Sequence, residues 1–158
     1  ALAGQIALQE GRFEEAAERL EQAISVFKEH GDVRAASRTM VPLAYVYESL
    51  GSARGLALAD EAVELLEGGP SCVELLDALS LAVATRTIGG DPRAGIDASE
   101  RAFAVAGELG IERRVYTAGG SKGSLDPFRP ENPDDVARLT ALQREYKVVR
   151  PEFQIRDR

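Results

Sequence analysis

Residues 10–24, EGRFEEAAERLEQAI, set a glycine, an aromatic and two spaced alanines into a run that otherwise reads as a charged helix. Ala16, Leu20 and Ala23 recur at helical spacing and mark an apolar stripe, while Glu14, Glu15, Glu18 and Glu21 fall on the polar side. Closely spaced carboxylates can do acid–base work when something raises one pKa. Here Glu15 to Arg19 is a favourable i, i+4 spacing, and the four glutamates read as a solvated face. What decides the fold is whether this unit recurs.

It does. Ala3-Gly4 is followed seven residues later by Gly11, Leu43-Ala44 by Gly51 and Leu81-Ala82 by Gly89, with offsets of 40 and 38 residues between copies. Five residues past these glycines stand Ala16, Leu56 and Ala94, and nine past stand Leu20, Asp60 and Ala98. The second copy fits poorly there, and sliding it by one residue brings Ala57 into the small position. Gly31-Asp32, Gly51-Ser52, Gly68-Gly69-Pro70 and Gly89-Gly90-Asp91-Pro92 punctuate the chain where tight turns are needed. The pattern predicts six helices, at about 1–10, 13–29, 33–50, 54–67, 71–88 and 92–109, and an all-α fold. Gly4, Ala44, Ala82, Ala16, Ala57 and Ala94 would let paired helices approach, and Leu20, Met40, Leu43, Tyr47 and Leu81 would fill the space between layers. A lone helical pair cannot bury both its faces, so such pairs stack.

Met40-x-x-Leu43-Ala44-x-x-Tyr47-x-x-x-Gly51 resembles the first half of a tetratricopeptide repeat, and Gly11-x-Phe13-x-x-Ala16-x3-Leu20-x-x-Ala23 is similar to the second half. The resemblance covers about residues 1–110. Its copies are longer than the family's roughly 34 residues, as in the extended repeats beside ATPase, cyclase or transcription-activator modules of bacterial signalling proteins. Thr85 stands where the family favours Tyr. The resemblance implies an α-hairpin solenoid of about three helix pairs whose first helices line a concave groove. Its groove positions fall on Gln5 and Gln9, on Arg38, Val41, Tyr45 and Glu48, and on Leu79, Val83 and Arg86. That mixture of apolar, amide and charged groups suits an extended peptide or a partner helix. It lacks the several Lys and Arg with which co-chaperone members clamp a terminal carboxylate.

Composition narrows the function classes. The formal net charge is −7, and residues 1–118 carry 11 basic against 19 acidic side chains, which argues against a sequence-independent nucleic-acid surface. Apolar runs are far shorter than the roughly 20 residues that span a bilayer, and no leader pattern opens the chain, so a cytoplasmic protein is expected. Ala1 falls in what reads as the middle of a helix, as in a piece of a larger protein. Cys72 and His30 are single and sit near apparent helix ends, which gives no metal spacing and no nucleophile–base pair. Gly119-Gly120-Ser121-Lys122-Gly123-Ser124 is not a phosphate-binding loop, because Lys122 precedes the last glycine instead of following it. No cofactor, metal or catalytic residue is expected.

The predicted organisation is a repeat domain over 1–118, a Gly/Pro-rich linker over 119–131, and a C-terminal helix with tail over 132–158. Asn132-Pro133-Asp134-Asp135 is a strong helix start, and Val136, Leu139, Leu142 and Tyr146 form a narrow stripe suited to capping the third hairpin. The linker reads either as native continuation or as a join to another segment. Residues 148–156 alternate loosely and could pack back, lie in the groove, or pair with a second copy as a homodimer. The expected function is a non-enzymatic protein–protein interaction scaffold within a larger bacterial regulatory or signalling protein. The alternative is a ligand- or peptide-sensing domain that controls an attached effector.

Overall fold

The structure is a computed structural model that describes residues 1–89, 91–110, 133, 134, 136–138 and 141. The described residues are helical or in turns, with no strand among them. Six helices follow in order: α1 (Leu2–Gln9), α2 (Phe13–Glu29), α3 (Val33–Ser49), α4 (Arg54–Glu64), α5 (Val73–Ile88) and α6 (Pro92–Glu108). The expected linker over 119–131 and the tail after 141, with the homodimer contact placed there, lie outside the described residues.

Three of the turns are copies of one device. Gly11, Gly31 and Gly51 have φ of 72°, 71° and 69°, a left-handed conformation that glycine adopts without penalty. In each, the glycine N–H donates three residues back, to Leu8, Lys28 and Glu48, and the next N–H donates five residues back, to Ala7, Phe27 and Tyr47. This pair of hydrogen bonds closes the helix end and satisfies two of its carbonyls. The following helix then starts at once. Asp32 accepts from Ala35 N–H at 3.0 Å, and Asp91 does the same for Ala94 at 3.0 Å. Each such cap contributes about 1 kcal/mol.

The turn between α4 and α5 differs from the expected one. α4 stops at Glu64, where helix was expected to 67, and α5 begins at Val73, where it was expected at 71. Leu66 donates to the Val63 carbonyl, Gly69 to Leu66, and Gly68 takes φ 81°, so short-range bonds tighten the chain before Gly69-Pro70.

Each helix packs on the next in the chain, and α3 also packs on α5. Leu20, Met40, Leu43, Val46, Leu79 and Val83 are fully buried between them. Small residues set the spacing. A Cβ on Gly4 would lie 2.7 Å from Leu20 Cγ, and one on Gly55 would lie 3.2 Å from the Ala44 carbonyl oxygen. The expected close-packing residue of the fourth helix, Ala57, is exposed. Gly55 and Ala59 are buried instead, four and eight residues past Gly51, where Ala16 and Leu20 stand five and nine past Gly11, so the inward face of α4 is turned by one residue. Ala94 is half-buried, with Gly95, Ile96 and Ala98 behind it.

Buried polar groups are satisfied locally or across helices. Ser37 donates to the Ala62 carbonyl at 3.1 Å and ties α3 to α4. Thr85, where the repeat pattern favours tyrosine, bonds back to the Leu81 carbonyl at 3.1 Å.

Candidate functional site

The odd-numbered helices carry the expected binding surface, and it divides by helix. On α1, Gln5 and Gln9 are exposed, beside Leu2 (70%) and Ile6 (45%). On α3, Arg38, Tyr45 and Glu48 are exposed, Tyr45 by 49%, while Val41 is half-buried against the core. Residues 34, 38, 41, 45 and 48 recur at helical spacing and form one ridge. Pro42 lies beside that ridge within α3. It has no N–H to give the Arg38 carbonyl, so one rung of the helical ladder is missing there.

On α5 the face is turned. Leu79 and Val83, expected to line the surface, are 1% and 2% exposed and belong to the core. Arg86 is directed to α4, where it pairs with Asp60 at 2.5 Å. Among the described side chains of α5, Val73 and Asp77 are the exposed ones, with Ser80 and Ala84 half-buried on the same line. From Leu75 to Ala84 the chain is apolar apart from Asp77 and Ser80, so no clear stripe marks which side faces out. The one available signal was that interruption.

Arg38 links the two ridges. Its guanidinium lies 3.0 Å from the Glu74 carboxylate on α5. Asp77, one turn further on, has its carboxyl pushed above the ordinary range by partial burial and then by Glu74, with the charge of Arg38 opposing. The site is thus a tyrosine half out of the surface, flanked by an arginine shared among acids. It offers ring area with cationic and anionic hydrogen-bond partners. It holds no nucleophile with a base beside it.

The other side of the molecule is built for support. Tyr47 donates to the Glu21 carboxylate, which also pairs with Arg54 at 2.8 Å. Lys28 pairs with Glu61, and Arg101 with Glu67. Exposed pairs of this kind contribute between 0 and about 1 kcal/mol each. Cys72 is a buried free thiol at the approach to α5. His30 Nδ1 lies 2.8 Å from the Val26 carbonyl at the end of α2. Among the described residues, no three His, Cys, Asp or Glu side chains gather as metal ligands, and no helix is long and apolar enough to cross a membrane.

No family model matches the chain, and no solved structure matches it. A 42-residue stretch, 27% of the chain, is 60% identical to part of the Na(+)/H(+) antiporter NhaA of Brucella abortus (strain 2308). The same figures hold for the NhaA of Brucella melitensis biotype 1. The stretch spans 6% of the length of each antiporter, so the likeness is confined to a small part of those proteins.

Proposed function

We propose that this chain is a non-catalytic, tetratricopeptide-like interaction module that holds a protein or peptide partner on the face made by α1, α3 and α5. On this reading it serves a larger bacterial regulatory or signalling protein in the cytoplasm. The observation that carries the proposal is Tyr45. A tyrosine held 49% exposed on a helix, two turns from Arg38, combines two residue types enriched where interfaces concentrate their energy. The order of helix contacts supports a repeat solenoid, since α3 meets α5 while each helix also meets its neighbour in the chain. The revised contact set is Gln5, Gln9, Arg38, Val41, Tyr45 and Glu48, with Val73 and Asp77 taking the place of Leu79, Val83 and Arg86.

The test is affinity capture from source lysate with the unaltered chain and with a Tyr45→Ala, Arg38→Ala double variant. A partner retained by the first and lost by the second, at unchanged helical circular dichroism, is the expected result. Equal capture by both rejects this face. Capture of no protein, together with thermal stabilisation by a metabolite, replaces the scaffold with a ligand-sensing domain.

A further inference from the structure

α6 buries two stripes. Ala98 and Ala102 join the cluster that runs through α2 to α5. Ile96, Glu100 and Phe103 are spaced at i, i+4 and i+7 and share a second line along the helix. On that line Ile96 is 1% and Phe103 3% exposed. α5 is the helix on which α6 packs among α1–α6. α4, gripped by both α3 and α5, buries a narrower set of positions than α6 does.

The C-terminal helical residues supply a partner for the same side. Arg138 Nη2 lies 2.7 Å from Asp97 Oδ1 and 2.7 Å from Glu100 Oε2, and its Nε lies 3.0 Å from Glu100 Oε1. One guanidinium therefore grips Glu100 with two nitrogens and reaches Asp97 one turn before it. Val136, two residues earlier, is half-buried. The two carboxylates raise the pKa of Arg138 further, as expected of a cation held between acids.

We propose that the Ile96–Glu100–Phe103 stripe of α6 is a helix-docking surface whose occupant is this chain's own C-terminal helix, with Arg138 fixing its register. Charge complementarity names the occupant: two acids border the stripe, and the fork that fills them comes from the segment around Arg138. An exposed ion pair alone holds little, so the apolar stripe supplies the grip and the planar fork selects the alignment. A lysine at 138 would offer one point charge and could not span both acids in the same way. The proposal stands apart from the α1–α3–α5 face, because α6 contributes nothing to that face.

Hydrogen exchange on the whole chain tests it. Arg138→Ala should speed exchange of amides in residues 133–141 about tenfold, the change expected when a local opening loses one well-placed contact, while α2 and α3 keep their protection. Arg138→Glu should do the same, and adding Glu100→Arg should restore slow exchange. A synthetic peptide of residues 132–146 should bind the Arg138→Ala chain, whose stripe opens more often, more tightly than the unaltered chain. The same peptide with Arg138→Ala should lose that preference. Unchanged exchange at 133–141 in Arg138→Ala, or equal binding of the two peptides, overturns the proposal.

Discussion

The guanidinium of Arg54 lies over the ring of Tyr47, 4.2 Å from its centroid. Glu21 completes the arrangement by accepting from the Tyr47 hydroxyl and from Arg54 at 2.8 Å, so α2, α3 and the first residue of α4 meet at one point. Burial, first, and then the hydrogen bond and charge of Glu21 push the Tyr47 hydroxyl up to about 12, with Arg54 opposing. The folded value is above the unfolded 10.0, so the stabilisation is complete below pH 10 and is lost as pH rises through about 12. Tyr47→Phe should cost about 1 kcal/mol at neutral pH and remove this alkaline loss. Denaturant unfolding at a series of pH values checks both, and an unchanged slope between pH 10 and 12 would reject the assignment.

Gly55 sets the distance between α3 and α4. A Cβ there would stand 3.2 Å from the Ala44 carbonyl oxygen, a backbone atom that cannot swing aside. Gly55→Ala should therefore destabilise by about 1–3 kcal/mol despite its better helix propensity. Ala57→Ser, two residues on and exposed, should stay within about 0.5 kcal/mol of the unaltered chain. Thermal midpoints of the pair decide whether Gly55 or Ala57 faces the neighbouring helix.

Tyr45 and Leu79 were expected on one surface and differ in burial, 49% against 1% exposed. Leu79→Ala should cost about 2–5 kcal/mol through the cavity it leaves. Tyr45→Ala should leave the unfolding midpoint nearly unchanged and weaken partner capture. A Leu79→Ala chain as stable as the unaltered one would return Leu79 to the surface.

Asp77 titrates against its surroundings. Partial burial and Glu74 raise its carboxyl above 3.8 while Arg38 lowers it, so the folded chain holds that proton more tightly than the unfolded one. Its contribution is present at low pH and is lost as pH rises through the raised value. Asp77→Asn should abolish this fall and stabilise the chain near neutral pH. Arg38→Ala should raise the Asp77 value further, read from the carboxyl resonance in an NMR titration.

Much of the helical pattern was legible because its signals are local. Gly11, Gly31 and Gly51 end helices by the hydrogen bonds of their own turns, and Asp32 and Asp91 start them by reaching three residues along. Such bonds need only neighbours in the chain, so residue type and spacing announced them. The all-α class and the bounds of α2 and α6 followed to within a residue.

Which side of a helix faces out is a different matter. On α3 the polar and apolar positions alternate clearly enough that Arg38, Tyr45 and Glu48 were assigned to the surface, and they lie there. On α5 the run from Leu75 to Ala84 is apolar apart from Asp77 and Ser80, so hydrophobicity favoured no one face, and contact with α3, α4 and α6 chose the rotation that buries Leu79 and Val83. The same holds for Gly55 against Ala57, where a clash with the Ala44 carbonyl decides, and for the acids of α6 that meet Arg138 from 38 and 41 residues away. Sequence alone determined most helix ends, those at the α4–α5 turn excepted, since those hydrogen bonds close within a few residues. Tertiary structure decided the rotation and the cross-helix partners, since these depend on close packing between residues far apart in the chain.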